Sequence, residues 1–148
     1  MPDDGPITSN YQPTPEDEAR WQHEAQLADY INQFVTPLKQ LAANAVDAAS
    51  VLVSTYDSST KEEFAGLATQ CTTLSQHGYY AVEMLTQAGV QDWVYSVKAC
   101  NDVGYWANLA ASQAHWAATT AESLTDVHTC LATAYDHLTV ASGAIQGA

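Results

Sequence analysis

The feature that most constrains the fold is a run of apolar residues between positions 27 and 52 whose spacing alternates between four and three. In order, they are Leu27, Ile31, Phe34, Leu38, Leu41, Ala45, Ala48 and Leu52. This spacing places an apolar stripe along one side of an α-helix, and an unbroken heptad rhythm is typical of helices that pack lengthwise against other helices. We therefore expect a first helix of roughly 42 residues that buries this stripe.

Local signals mark the limits of this first helix. Thr14 is suited to the N-cap position and Pro15 to the first helical position. Pro37 lies inside the helix, where it removes one backbone hydrogen bond and is expected to bend the helix near residues 33–36. Because the stripe keeps its phase across Pro37, we predict one kinked helix that ends around Tyr56.

A second helix is predicted from Thr60 onwards. Thr60 and Glu63 have the spacing of a capping box, and Gly89 is typical of a residue that ends a helix. The apolar stripe keeps its rhythm throughout. Its members are Phe64, Leu67, Cys71, Leu74, Gly78, Ala81, Leu85 and Ala88.

Two further stripes follow, and they differ in phase. The third, predicted to start near Gln91 or Asp92, contains Trp93, Val97, Cys100, Gly104, Ala107, Ala111, Ala114, Ala118 and Ala121. The fourth contains Leu124, Val127, Leu131, Ala134, Leu138, Ala141 and Ile145. The small residues of the third stripe indicate close approach to a neighbouring helix. The phase change predicts a break between Thr119 and Thr125, and a single long helix over residues 91–146 is the alternative.

Two short segments, Gly78-Tyr79-Tyr80-Ala81 and Gly104-Tyr105-Trp106-Ala107, share a pattern. If the second and third helices form an antiparallel hairpin around Gly89, Gly78 and Gly104 lie opposite each other. We expect a tight helix crossing there, with aromatic side chains on both sides. An aromatic-lined slot for a small apolar ligand or for a side chain of a partner is the alternative interpretation. Its candidate lining residues are Tyr79, Tyr80, Tyr105, Trp106 and Trp116.

Charge excludes one broad class of function. Lys and Arg number only 4 against 17 Asp and Glu, which gives a formal net charge of −13. Binding to nucleic acid through phosphate contacts needs clustered Lys and Arg, so we expect no nucleic-acid partner. Attraction to anionic lipid headgroups is disfavoured for the same reason.

No residue pattern typical of catalysis or metal binding occurs. None of the 5 histidines has an acidic residue or another histidine three or four positions away, as a metal site in a helical bundle requires. Cys71, Cys100 and Cys130 do not form a zinc pattern or a disulfide framework, and we expect buried free thiols. We therefore predict no enzyme, no cofactor and no metal.

The N-terminal residues differ from the rest in composition. Residues 1–15 are rich in proline and are predicted to form an extended arm, followed by a helical bundle domain over residues 16–148. The arm lacks the features of a secretory signal, and no run of apolar residues is long enough to span a membrane. We expect a cytoplasmic protein or a component of a virion-like assembly rather than classical secretion.

The sequence thus predicts an all-α, up-down bundle of about four helices with a long kinked first helix. The first helix is longer than any partner within the chain. We therefore expect a non-enzymatic assembly subunit that forms a homo-oligomer or docks into a larger complex. The residues expected to carry this packing are Leu27, Ile31, Phe34, Leu38, Leu41, Gly78 and Gly104. The alternatives are a bundle that binds a small apolar ligand, and a secreted or inhibitory acidic protein that binds another protein.

Overall fold

The computed structural model describes residues 12–90 and 95–148, and this part of the chain forms four helices without a strand. They are α1 (Pro15–Thr55), α2 (Lys61–Gln87), α3 (Ser96–Thr119) and α4 (Leu124–Gln146). Each helix packs against its neighbours in sequence, and α4 also packs against α1. The predicted all-α, up-down bundle is therefore confirmed.

Side-chain caps fix the starts of three helices. The Thr14 hydroxyl accepts a hydrogen bond from the Asp17 N–H at 3.0 Å, and the Asp17 carboxylate accepts one from the Thr14 N–H. Thr60 and Glu63 form the same reciprocal pair at the start of α2. Ser123 caps α4. Each cap satisfies backbone N–H groups that have no partner within the helix, which is why the helices begin at these residues.

The turn after α2 depends on Gly89, as predicted. Its φ of 86° lies in the left-handed region that favours glycine. The Val90 N–H donates to the Leu85 carbonyl at 3.0 Å, and the Gly89 N–H donates to the Thr86 carbonyl at 3.0 Å. This pair of bonds is a Schellman motif, and it reverses the chain so that α3 can return along α2.

The phase change in the sequence corresponds to a real break. Helix α3 ends at Thr119 and α4 begins at Leu124, so two helices rather than one occupy this region. Helix α3 is described from Ser96 onwards, and its predicted start at Gln91 or Asp92 lies outside the described residues. The C-terminal end of α3 is closed by Lys61, whose ammonium donates to the carbonyls of Ala117 and Ala121 at 2.8 and 3.0 Å.

The core is built from all four helices, and α3 is the most deeply embedded. Its buried residues are Ser96, Val97, Ala99, Cys100, Val103, Gly104, Ala107, Ala110, Ala111, Ala114 and Ala117. Because most of these side chains are small, the neighbouring helices approach α3 closely. The larger buried side chains come from the other helices and from Val97 and Val103.

The first helix is continuous through Pro37, and its buried line shares only Leu38, Ala45 and Leu52 with the predicted stripe. The line consists of Val35, Leu38, Ala42, Ala45, Ala49 and Leu52. A heptad repeat drifts by about 20° per repeat on a straight helix, and small residues beside the stripe permit closer packing than large ones. The core therefore shifts to one side of the predicted stripe. The bend expected at Pro37 stays a prediction.

Residues 1–11 of the predicted arm lie outside the described part of the chain. Of the rest of that arm, residues 12–14 precede α1, and Pro15 is already its first residue. Within residues 12–90 and 95–148, no helix is both long enough and apolar enough to cross a membrane.

Candidate functional site

The predicted packing residues of α1 divide into two groups in the structure. Leu38 is buried in the core, whereas Leu27, Ile31, Phe34 and Leu41 are half-buried and lie along its edge. Phe34 and Leu41 face the α2 side of α1, where the two helices leave an open groove. These four side chains keep part of their surface exposed, so another molecule could pack against them.

We call the part of this opening that Pro37 lines the Pro37 groove. It has a volume of about 170 Å³, and its lining residues are Gln33, Phe34, Pro37, Leu38, Leu41, His77 and Tyr80. The rings of Phe34 and Tyr80 meet edge to face across the groove, with centroids 6.1 Å apart. Most of the lining side chains are apolar, and Gln33 and His77 contribute polar groups.

Two hydrogen-bond acceptors lie at the Pro37 groove. Pro37 has no N–H, so the Gln33 carbonyl lacks the donor that a helix normally supplies from four residues later. The His77 Nδ1 lies 2.8 Å from the Thr73 carbonyl. Because a carbonyl only accepts, Nδ1 carries the hydrogen and Nε2 of the neutral ring is an acceptor. Sequence reasoning noted that Pro37 removes one backbone hydrogen bond but drew from it only a bend in α1. It missed Gln33 and His77, for which the missing N–H was the signal.

A second apolar opening lies between the same two helices, farther along α1. Its volume is about 340 Å³, and it is lined by Ala48, Val51, Leu52, Glu63, Leu67 and Gln70. Val51 is 60% exposed despite its apolar side chain. The α1–α2 side of the bundle is thus only partly closed at both ends.

The N-terminal part of α1 extends beyond the rest of the bundle. Residues 15–26 are exposed, except for a half-buried Asp17, and the first buried residue of α1 is Val35. At 1.5 Å per residue, α1 is about 61 Å long, whereas the other helices are about 34–40 Å. Arg20 pairs with Asp17 at 3.2 Å and lies over the exposed ring of Trp21. Leu27 marks the point where α1 begins to contact the core.

Gly78 and Gly104 meet where α2 crosses α3. A Cβ atom added to Gly78 would lie 2.8 Å from both the Cys100 carbonyl oxygen and the Gly104 nitrogen. A Cβ on Gly104 would lie 2.8 Å from the Tyr79 ring. The buried Ser75 hydroxyl donates to the Gly104 carbonyl at 2.7 Å and ties the two helices together. Both glycines therefore serve a close helix crossing.

The aromatic residues considered for a ligand slot do not surround one common cavity. Tyr80 faces α1 at the Pro37 groove, and Tyr79 packs over Gly104. Trp106 lies towards α4, with its ring centroid 5.4 Å from that of His137, and it meets Tyr105 edge to face. Trp116 lies at a separate groove, as described below. The splayed arrangement follows from the helix period, because neighbouring residues on a helix point in different directions.

A broad opening lies on the outer side of α2 and α3. It has a volume of about 620 Å³ and is lined by Ala65, Ala68, Thr69, Thr72, Thr73, Gln76, Asn108, Ala111, Ser112, His115 and Trp116. Small and hydroxyl-bearing side chains dominate, and no two ionisable groups of opposite charge converge among these lining residues. The opening is a broad groove rather than an enclosed pocket.

The thiols are held in their protonated form by burial. Desolvation raises the pKa of Cys71 to about 12 and that of Cys100 to about 11. The pKa of the half-buried Cys130 is raised by desolvation and by the nearby Asp126 carboxylate, against a smaller opposing effect of Lys61. A thiol is a poor nucleophile and metal ligand unless it loses its proton.

The described residues contain no group of three His, Cys, Asp or Glu side chains arranged to hold a metal ion. His137 has its Nδ1 buried without a hydrogen-bond partner, between α3 and α4.

No protein family model matches the chain, and neither a curated protein nor a solved structure is significantly similar to it. Its function therefore has to be inferred from its own geometry.

Proposed function

We propose that the protein is a non-enzymatic assembly subunit that docks into a larger complex through α1 and the groove between α1 and α2. The observation that carries this proposal is the unpacked start of α1, where residues 15–26 are exposed apart from a half-buried Asp17. Helical segments of this length are marginal in water unless an apolar face is buried by packing. A partner supplies that packing.

The half-buried stripe supports the same site. Leu27, Ile31, Phe34 and Leu41 continue from the extension into the Pro37 groove and form one line along α1. Burying such side chains completely is worth about 1.5–3 kcal/mol each, so their partial exposure leaves free energy for a partner to gain. A helix laid along this line is a recurring mode of recognition.

The charge of the chain favours a partner of a different kind over a second copy. Two copies would each bring a net charge of −13, and like charges oppose association. A positively charged partner is instead attracted by the negative charge of the chain. The sequence left two possibilities, a homo-oligomer and docking into a larger complex. We therefore propose docking into a larger complex.

The protonated thiols support the non-enzymatic part of the proposal, since Cys71 and Cys100 lack the thiolate form that attacks substrates. The ligand-binding alternative draws support from the broad groove that Trp116 borders and, through Tyr80, from the Pro37 groove. The Pro37 groove has a volume of about 170 Å³, which is below the ~300 Å³ of pockets that hold drug-sized molecules. The inhibitory alternative would use the same docking face.

A truncated chain lacking residues 1–24 tests the proposal. Because residues 15–24 contribute almost no buried surface, the truncated chain should unfold within about 2 °C of the full chain. Light scattering at two concentrations and two salt levels gives the solution mass of both forms. Chemical crosslinking in the source cells, followed by purification, gives their partners.

We expect a partner that binds the full chain and is lost on truncation. A truncated chain that keeps the same partner, or a full chain that stays at 15.9 kDa and crosslinks to nothing, would contradict the proposal.

A further inference from the structure

We infer that the Pro37 groove is an anchor site for one tryptophan side chain on a basic helix of the partner protein. This inference rests on the proposed docking function and specifies what the partner presents. Three properties of the groove support it: its size, its unpaired acceptor and the charge of its rim.

The size of the groove selects a single side chain. Its volume of about 170 Å³ is too small for a typical drug-sized ligand and suits one large aromatic group. The edge-to-face pair of Phe34 and Tyr80 offers ring surfaces against which a further aromatic ring packs favourably. Aromatic residues that fill such pockets commonly contribute most of the binding energy at protein interfaces.

The polar atoms of the groove select a hydrogen-bond donor. In an α-helix, each carbonyl accepts a hydrogen bond from the N–H four residues later. Gln33 and Pro37 are four residues apart, and both line the groove. The missing N–H of Pro37 therefore leaves the Gln33 carbonyl as an acceptor beside the apolar wall. His77 Nε2 is also an acceptor. The indole of tryptophan combines a large apolar ring with an N–H that only donates, so it matches both properties.

The rim of the groove selects basic flanking residues. Asp29 precedes Gln33 by four residues, and Glu83 follows Tyr80 by three, so each lies one turn from a lining residue on the same side of its helix. Both are exposed. Lys39 lies towards α4, because its carbonyl accepts a hydrogen bond from Gln146. A partner with Lys or Arg on either side of its tryptophan would pair with the two carboxylates.

In the first experiment, N-acetyl-tryptophanamide is titrated into the full chain labelled with ¹⁵N, and the amide signals are followed by two-dimensional NMR. We expect amide shifts concentrated in residues 33–41 and 76–81. The analogue methylated on the indole nitrogen should bind about three- to tenfold more weakly, which corresponds to the loss of one hydrogen bond. Absence of shifts in these two segments would overturn the inference.

The variant P37A isolates the unpaired carbonyl. Alanine supplies the missing N–H, so the Gln33 carbonyl gains its helical partner. N-acetyl-tryptophanamide and its N-methylated analogue should both bind P37A more weakly than the original chain, because the proline ring is lost. The difference in affinity between the unmethylated and the methylated indole should disappear. The matched control Q33A removes the side-chain amide and keeps the carbonyl, so it should retain the preference. A preference that persists in P37A, or disappears in Q33A, would overturn the assignment of the acceptor.

The second experiment distinguishes a partner helix from a free small molecule. A helical peptide with one tryptophan flanked by lysines should bind about tenfold more tightly than N-acetyl-tryptophanamide, because it adds helix contacts and ion pairs. Replacement of its tryptophan by alanine, or of its lysines by glutamates, should remove that gain. The chain variant D29N/E83Q should lower the peptide's affinity and leave that of N-acetyl-tryptophanamide unchanged. Equal affinities of the peptide and the free amide would overturn the docking inference in favour of a small-molecule site.

The outcome of these experiments is independent of the outcome of the truncation test. A chain that loses its partner on truncation but shows no tryptophan-dependent binding at the Pro37 groove would overturn the anchor site alone. Binding of the peptide at the groove, with its dependence on Pro37, Asp29 and Glu83, supports the anchor site whatever the truncated chain retains.

Discussion

Replacement of Gly78 by alanine should weaken the bundle at the point where α2 crosses α3. The added Cβ would lie 2.8 Å from the Cys100 carbonyl oxygen and from the Gly104 nitrogen. Both are backbone atoms of α3, so neither can rotate away as the end of a side chain would. The two helices must separate, and the Ser75–Gly104 hydrogen bond of 2.7 Å must lengthen with them.

Two effects of opposite sign determine the magnitude. Overpacking of a core typically costs 1–3 kcal/mol, and a clash with rigid backbone should lie at about 3 kcal/mol. Alanine is favoured over glycine inside a helix by about 1 kcal/mol. The net destabilisation of G78A is therefore about 2 kcal/mol. For a chain of this size, that corresponds to a fall in melting temperature of roughly 4–8 °C.

Urea and thermal unfolding followed by circular dichroism measure this change, with two matched controls. Gly66 lies in the same helix, and a Cβ added there meets nothing within 4 Å, so G66A should raise stability by about 0.5–1 kcal/mol. G104A meets the ring of Tyr79, which is 43% exposed and can move outward, so its cost should be smaller than that of G78A. If G78A were as stable as G66A, the tight crossing would be refuted.

Further predictions concern a helix end and the thiols. K61M should lower stability by about 1 kcal/mol because the Lys61 ammonium donates to the Ala117 carbonyl in the last turn of α3 and to the Ala121 carbonyl just beyond it. K98M should change stability by less than about 0.5 kcal/mol because the Lys98 ion pair is exposed. The urea midpoints of both variants check this, and equal effects would contradict it. At pH 8, a thiol reagent should label Cys130 first and label Cys71 and Cys100 only as the chain unfolds, so rapid labelling of all three would contradict their burial. Because burial raises the pKa of Cys71 from 9.0 to about 12, the folded chain retains a proton that the unfolded chain releases. Its contribution to stability is complete below pH 9.0 and is lost as the pH rises towards 12, and C71A should show a weaker fall of the urea midpoint over that range.

Much of the fold could be predicted because its signals are local. Thr60 with Glu63 and the αL position of Gly89 each depend on a few neighbouring residues. The break between Thr119 and Leu124 was visible as a change of phase between two apolar stripes. Such signals survive in the sequence because helix capping and periodicity act over one or two turns.

The candidate site was less accessible to sequence reasoning. Phe34 and Leu41 were recognised as apolar, but a one-dimensional pattern does not specify how far a helix rotates when it meets a small-residue face. Gln33 and His77 belong to different helices and have no pattern in common. Their proximity to Pro37 depends on how α1 and α2 approach each other.

The sequence by itself indicated about four helices, the caps at Thr14 and Thr60, the turn at Gly89 and the acidic surface, because these follow from residue type, spacing and charge. Only the tertiary structure decided which side of α1 is buried, since that depends on how α1 packs against α2 and α4. It also decided that the start of α1 projects beyond its neighbours and that Pro37 borders an open groove. Those features follow from the packing of separate helices, to which residues far apart in the chain contribute together.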